Sequence, residues 1–370
     1  MENKICVYTI CKNESKFVDK WLASMSEADY VVVLDTGSED GTFELLKNDP
    51  RVYRAEQKVI TPWRFDVARN ESLKLVPDDA NILVCPDLDE VFEPGWAQIL
   101  RDNWIEGVHE RGLYNYIWSH TESGEPALVF HHEKIHSRDW CWNFPVHESL
   151  VRKNDLLDGS YSYENTLYLT DRIHLHHYPA HKDSRSSYLP LLELRSEENP
   201  TDYFGKVYLA HEYYYSGKYQ KSIDLLNHML TEYPDQYSDF YKANFYLVMG
   251  DSYRGLGEYD KCLAAYQKAI LTDKTYREPY VNMAKVLNEL HYYQQAIGVV
   301  KECINTSYRH YDWLERGECW AGALYDILSI SYYYVGDYEN SLANIHKALY
   351  YNPKDERLLS NLKFIEEKLF

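Results

Sequence analysis

No run of the sequence approaches the ~18 consecutive apolar residues of a membrane-spanning helix, so no span is expected. A basic stripe is missing too. The formal net charge is -19, from 58 acidic residues against 39 Lys and Arg. That balance lacks the electrostatic footprint of a duplex nucleic-acid or anionic-membrane binder. Cysteine is sparse: Cys6, Cys11, Cys85, Cys141, Cys262, Cys303 and Cys319 are scattered, with no CxxC pair. An odd, scattered set speaks for reduced thiols in a cytoplasmic protein, and against a disulfide framework or structural zinc. Residues 1–10 have no charged region leading into an apolar one, so no secretory signal is expected.

What is present is globular. The 370 residues are 45% hydrophobic and 26% charged, enough for two domains of ordinary size. Aromatics reach 15%, with 36 Tyr, which fits helix–helix packing and sugar- or peptide-facing surface. Most of the negative charge lies in the first 200 residues, which suits a domain holding a divalent cation.

The texture changes near residue 200. Before it, apolar runs at 5–11, 30–34 and 82–85 alternate with helical patterns, implying βαβ units and a mostly parallel α/β sheet. A helix starting near Ser15 places Phe17, Val18, Trp21 and Leu22 on one face. Residues 184–200 read as a helical connector, so the domains are expected at 1–195 and 196–370. After it strands vanish and a repeat begins. Turn positions 217, 257, 291 and 336 are spaced 40, 34 and 45 apart, a 34-residue unit with insertions. Each turn is followed by Tyr (Tyr219, Tyr259, Tyr293, Tyr338) and, three places on, by a small residue (Ser222, Cys262, Ala296, Ser341). About four helical hairpins in this register resemble the tetratricopeptide repeat.

Two acidic segments follow apolar strands. The first is Leu34-Asp35-Thr36-Gly37-Ser38-Glu39-Asp40-Gly41-Thr42. A carboxylate at a strand's C-terminal end lies where open α/β sheets bind ligands, and Asp35 can accept from a base or ribose there. The plain alternative is a strand–helix turn capped by Ser38 or Asp40. The second is Pro86-Asp87-Leu88-Asp89-Glu90, whose carboxylates two apart can share a hard cation that bridges diphosphate oxygens. Between them, in Arg64-Phe65-Asp66-Val67-Ala68-Arg69-Asn70-Glu71-Ser72-Leu73, Arg69 is a candidate diphosphate clamp. Asn70 is suited to hold a neighbouring backbone loop.

Together with Cys11-Lys12-Asn13-Glu14, these segments resemble family 2 glycosyltransferases of the GT-A fold, a Rossmann-like α/β domain. The nearest branch joins that domain to tetratricopeptide repeats, and includes lipopolysaccharide-core glucosyltransferase-like and bacteriocin peptide S-glycosyltransferase-like members. The resemblance implies inverting transfer from a nucleotide sugar, commonly linked to uridine diphosphate (UDP), with Mn²⁺ or Mg²⁺. It implies that Asp35 contacts the nucleoside and Arg69 the diphosphate, with Asn13 and Glu14 in the same donor site. Asp87 and Asp89 would serve ribose and metal, Asp89 as the direct ligand. Many relatives carry a second Asp where this chain has Thr36, which leaves base recognition open.

Downstream, Trp140-Cys141-Trp142-Asn143-Phe144-Pro145-Val146-His147-Glu148 resembles that branch's aromatic-then-HE segment. Inverting transfer needs a base for the acceptor's proton, and Glu148 is the first choice, before His147 and Asp139. Trp140 and Trp142 are equally suited to stacking on a sugar or packing in a core. In the run 173–178, His174 and His176 share one strand face and His177 the other. His176 is the candidate metal ligand, with His177 behind it.

The expected partners are a nucleotide sugar, a peptide, protein or glycan acceptor held partly by the repeats, and a second copy of the chain. A different class of function competes: a tetratricopeptide binding scaffold with an inactive nucleotide-sugar domain. Nucleotidyl transfer or metal-assisted phosphate hydrolysis would also use Asp87 and Asp89, but leaves the Val67-to-Ser72 segment without a role.

Overall fold

The computed structural model describes residues 3–120, 124–153, 165–179, 188–310 and 312–369. It divides into two compact units, Met1–Gly205 and Lys206–Phe370. Residues 184–187 of the expected connector lie outside the described set; the rest forms a helix at Tyr188–Glu198. The first unit continues past residue 195 because Arg195 pairs with Asp202 at 2.5 Å, and Asp202 accepts from the Gly205 amide at 2.9 Å.

The first unit is built on β1 (Ile5–Cys11), β2 (Tyr30–Asp35), β3 (Arg54–Gln57), β4 (Ile82–Val84), β5 (Glu90–Phe92), β6 (Arg111–His120), β7 (Pro126–His136), β8 (Trp140–Asn143), β9 (Ser149–Arg152), β10 (Thr166–Tyr168) and β11 (His174–His177). Nine of these form one sheet, ordered β3-β2-β1-β4-β7-β6-β11-β5, with β10 beside β6; β8 and β9 pair separately. β1 is buried along its whole length, as a central strand covered on both faces must be. Alternation divides its neighbours. Val31 and Val33 pack with Trp21, Leu22 and Trp96 on one side, while Val32 and Leu34 pack with Tyr8, Ala68, Trp140 and Trp142 on the other.

The sheet is mixed, which corrects the mostly parallel expectation. β1, β2, β3 and β4 run parallel, but β7 lies antiparallel to both β4 and β6, and β5 antiparallel to β11. Only five residues separate β6 from β7 in the chain, too few for the crossover that parallel pairing requires.

Four helices belong to this unit before the connector: α1 (Val18–Met25), α2 (Thr42–Asn48), α3 (Phe65–Leu73) and α4 (Trp96–Asn103). The stripe expected on α1 is buried at Val18, Trp21, Leu22 and Met25, after a short 3-10 turn at Ser15–Phe17. The connector is α5 (Tyr188–Glu198).

In the second unit, α6 (Tyr203–Tyr215, shared across the limit) and α7 (Tyr219–Glu232) form a hairpin, as do α8 (Asp239–Gly255) and α9 (Tyr259–Thr272), α10 (Glu278–Glu289) and α11 (Tyr293–Ile304), and α12 (Ala323–Tyr334) and α13 (Tyr338–Tyr351). α14 (Glu356–Leu369) follows. The four turns are physically equivalent. Gly217, Gly257, His291 and Gly336 all have left-handed φ, of 70°, 75°, 65° and 84°. Each next amide (Lys218, Glu258, Tyr292, Asp337) donates five residues back, to the carbonyls of Tyr213, Tyr253, Leu287 and Tyr332, at 2.7–3.0 Å. That is the Schellman closure of a helix end. The small residues Ser222, Cys262, Ala296 and Ser341 are all fully buried, which lets the paired helices approach closely. Gly250 serves the same end, since a Cβ there would lie 2.5 Å from the Tyr266 ring.

His291 is the one non-glycine at these turns, and a left-handed L-residue costs about 1 kcal/mol. His291→Gly should therefore raise the unfolding free energy by up to about 1 kcal/mol in urea titration, less whatever the 2.7 Å His291–Tyr293 hydrogen bond contributes. A lower midpoint for the variant would show that this contact outweighs the backbone strain.

Glu278 gives a second expectation. Burial raises its carboxyl to about 7, against the pull of Arg316. The folded value lies above the ordinary 4.5, so the folded chain binds this proton more tightly than the unfolded one. Stability then declines as pH rises from about 4.5 to about 7, by at most about 3 kcal/mol from this group. Thermal melts between pH 4.5 and 8 should show a flatter decline for Glu278→Gln; parallel profiles would remove Glu278 as the cause.

Candidate active site

β4 runs into the turn Cys85-Pro86-Asp87-Leu88-Asp89, and β5 starts at Glu90. Charged side chains from α3, β7, β5 and the 144–148 loop meet at this turn. Arg69 arrives from α3, which Asn70 fastens to β8: the Asn70 amide donates to the Trp142 carbonyl at 2.8 Å, and the Trp142 N–H donates back at 2.9 Å. Arg69 is only 4% exposed. Its Nη2 donates to Asp87 Oδ1 at 2.8 Å, its Nη1 to Cys85 Sγ at 3.3 Å, and its Nε to Glu148 Oε1. All three nitrogens are engaged, and the guanidinium lies 5.0 Å from the Trp142 ring centroid.

Lys134 comes from β7. Antiparallel pairing with β4 sets it opposite Cys85, whose N–H donates to the Lys134 carbonyl at 3.0 Å. Its ammonium donates to Asp87 Oδ2 at 2.8 Å and to Glu90 Oε1 at 3.1 Å. Glu90 also accepts from the Asp87 amide at 2.8 Å and the Tyr116 hydroxyl at 2.7 Å. Two cations thus face three carboxylates. Burial alone would raise the Asp87 carboxyl, but Arg69 and Lys134 hold it well below the usual range. Glu90 goes the other way, raised by burial and by the Asp87 charge. Burial would lower Lys134, but Asp87 and Glu90 keep it charged.

Asp89 is set apart. Its Oδ2 lies 3.4 Å from His177 Nε2, and both side chains are nearly enclosed. His177 Nδ1 faces the Trp118 carbonyl at 3.1 Å and so carries a proton, and the ring stacks on Trp118 at 4.3 Å. Burial lowers the His177 pKa, but the Asp89 carboxylate outweighs it and raises the value overall. His176 points away: it meets His120 at 2.9 Å and Glu93 at 3.0 Å. The partner of Asp89 is therefore His177, not His176, because β11 pairs His177 with Glu90 and alternation turns His176 to the opposite face. Both Asp87 oxygens are taken by cations, whereas the Asp89 carboxylate faces the His177 imidazole. Among the described residues, no three His, Cys, Asp or Glu side chains converge to hold a metal unaided.

Asp35, Asn13 and Glu14 lie at the loop that follows β2. Asp35 is fully buried, and its Oδ1 accepts from the Gly37 and Ser38 amides at 2.9 and 2.8 Å and from Gln57 at 2.9 Å. Burial raises its carboxyl, but these hydrogen bonds, Ser38 first, lower it overall. Asn13, at a left-handed φ of 58°, donates its N–H to Ser38 and accepts from the Glu39 N–H, both at 2.8 Å. The Glu14 N–H donates to Thr42 at 2.8 Å. In this structure the three residues shape the 36–42 loop.

Glu148 and His147 lie on the 144–148 loop, where Phe144 and His147 hold left-handed φ of 81° and 47°. Such strain in bulky residues persists only where the surroundings impose it. Arg195, 2% exposed, supplies the restraint: its Nη1 donates to the Val146 and His147 carbonyls at 3.0 and 2.7 Å, and its guanidinium lies 3.7 Å from the Phe144 ring centroid. Trp140 and Trp142 are core residues. Asp139 is exposed. Reading by motif passed over Lys134, Glu90 and Arg195. Glu90 adjoins the acidic turn, but nothing in the local pattern of β7 or α5 marks Lys134 or Arg195 as buried.

No family model matches the sequence, and no curated protein matches it either. Among solved structures, a thermophilic tetratricopeptide protein of Thermus thermophilus is similar at 19% identity, covering 49% of this chain and 89% of that one, with a TM-score of 0.36. A tetratricopeptide protein of Parabacteroides merdae gives 15%, 50%, 66% and 0.38 for the same four measures. The C-terminal part of a repeat protein of Cytophaga hutchinsonii gives 13%, 50%, 66% and 0.41.

The charge cluster makes a stability prediction. Lys134→Met should cost about 3–5 kcal/mol at neutral pH, because it leaves the buried Glu90 beside the half-buried Asp87 with one counter-ion fewer. Adding Glu90→Gln should recover part of that loss in chemical denaturation; a double variant no better than the single would place the cost elsewhere.

Proposed function

We propose that the first unit is a divalent-metal-dependent, inverting glycosyltransferase domain. Its donor is a nucleotide diphosphate sugar, of the UDP-hexose class, and its acceptor is a peptide, protein or glycan engaged partly by the repeats. The observation that carries this reading is the Asp89–His177 pair where the turn after β4 meets β11, with the other imidazole nitrogen anchored on a backbone carbonyl. Metal-ligating histidines are oriented in that way, by a hydrogen bond on the far nitrogen. Mn²⁺ or Mg²⁺ takes few protein ligands when diphosphate oxygens and water complete its shell, so two side chains fit such an ion. When bound, it compensates charge on the departing nucleoside diphosphate.

The chain's own residues do the rest. Glu148 accepts the acceptor's proton through Oε2, since Arg69 engages Oε1. Arg69 holds Glu148 and Asp87 in fixed relation, and His147 stands next to the base as the second candidate. Asn13, Glu14 and Asp35 hold the loop that would receive the nucleoside.

A second reading, a scaffold with an inactive nucleotide-sugar domain, is favoured by the saturation of Arg69 and the burial of Asp35. Calorimetry separates the two. UDP should bind in Mn²⁺ and at least tenfold more weakly in chelator. Asp89→Asn and His177→Gln should each abolish the metal-dependent part, while His176→Gln leaves it unchanged. No UDP binding in either condition would favour the scaffold, and metal-dependent binding lost with His176→Gln alone would misassign the ligand.

A further inference from the structure

A wall of rings stands beside the Asp89–His177 pair, and Tyr116 of β6 is its centre. His132, Phe130, Trp118 and His177 lie 5.1, 5.2, 5.9 and 6.0 Å from the Tyr116 ring centroid. Strand register assembles them: Tyr116 pairs with Phe130 and Tyr114 with His132 across β6 and β7, while β11 runs along the other edge of β6. Tyr116 itself is buried, and its hydroxyl is committed to Glu90.

Two members of the wall keep something to offer. Trp118 lays one face of its indole on His177 at 4.3 Å, yet the residue is 44% exposed. His132 accepts the Glu133 N–H at Nδ1, at 2.9 Å, which puts the ring proton on Nε2. Burial first, and then the Lys134 charge, push its pKa down to about 3, so the ring is neutral at pH 7. Among the described residues none accepts from that Nε2–H. An open aromatic face next to a fixed neutral donor suits a pyranose, whose C–H face stacks and whose hydroxyl accepts.

Charge narrows the class further. The cations nearest His132, Lys134 and Arg69, are already answered by Asp87, Glu90 and Glu148. A sugar carboxylate would meet further carboxylates there and no unpaired cation, and an unanswered charge in an enclosed site is costly. Direction agrees. In the sheet order β2 lies on one side of β4, and β7, β6 and β11 lie on the other. A donor with its nucleoside at the Asp35 loop and its diphosphate at Asp89 directs its sugar to that second side.

We propose that Trp118 and His132 determine sugar specificity: the indole stacks on the donor's sugar, the imidazole donates to one of its hydroxyls, and the sugar is an uncharged pyranose, not a sugar acid. This rests on the nucleotide-sugar reading of Asp89 and His177.

Calorimetry in Mn²⁺ tests it, with UDP, UDP-glucose, UDP-galactose, UDP-N-acetylglucosamine and UDP-glucuronate as probes. The best of the three neutral sugars should bind about tenfold more tightly than UDP-glucuronate. Trp118→Ala, which keeps the carbonyl that holds His177, and His132→Phe, which keeps a ring and removes the donor, should each weaken that neutral sugar about three- to tenfold and leave UDP itself unchanged. If Trp118→Ala does not fold, His132→Phe decides. UDP-glucuronate bound as tightly as the best neutral sugar overturns the proposal, and so does unchanged sugar affinity in the variants. Equal loss of UDP and UDP-sugar makes the wall a support for the metal pair, and overturns it too. Wild-type protein that binds no UDP removes the nucleotide-sugar reading and this inference together; intact UDP binding with any of the other failures removes this inference alone.

Discussion

The buried Arg69 guanidinium is the interaction on which the first unit's arrangement rests. It joins three parts of the chain: α3, which carries it, the Asp87 turn after β4, and the 144–148 loop through Glu148. A cation this enclosed is stable only where carboxylates answer it, and an enclosed carboxylate needs its cation equally. Removing one member leaves the others exposed to the full desolvation cost. Lys134 extends the same logic to Glu90, so the turn is held by charge compensation as well as by Leu88 in the core. With Asp87 held by two cations, Asp89 is the acid of the turn that meets an imidazole.

Restraint of the 144–148 loop comes from a second buried guanidinium. Arg195 pins two successive carbonyls and covers Phe144, which explains how two bulky residues stay in left-handed conformations. Glu148 is thereby fixed from both sides, by Arg69 through its carboxylate and by Arg195 through the preceding Val146 and His147 carbonyls. A general base needs such positioning, and so does a structural ion pair. That shared requirement is why nucleotide binding, and not geometry, separates enzyme from scaffold.

The second unit obeys a simpler rule. Four turns close by the same backbone hydrogen bond, and four small residues sit at zero exposure where the helices of each pair meet. Repetition of one local solution builds the array, and each hairpin buries its face on the next. The insert at 305–322 is the departure from that economy. Its Trp313 and His310 stack on Tyr208 and Phe240 of the first two hairpins.

What the sequence by itself determined is whatever depends on local chemistry. The four hairpins were legible because the left-handed turn residue, the Tyr and the small residue recur in fixed order, and each acts within a few positions. β1, β2, β4 and α1 were legible because burial on one or both faces leaves a period in the residues. Asn70's hold on the β8 backbone was legible from its chemistry. Only the tertiary structure decided the rest. Direction in the sheet depends on which strands become neighbours, so the β6–β7 hairpin turned an expected parallel sheet into a mixed one. Of two adjacent histidines, the one that faces Asp89 is set by the register of β11 on β5, which no spacing within 173–178 encodes. Lys134 and Arg195 reach the site from strands and helices distant in sequence, and pairing between distant charges leaves no period to read.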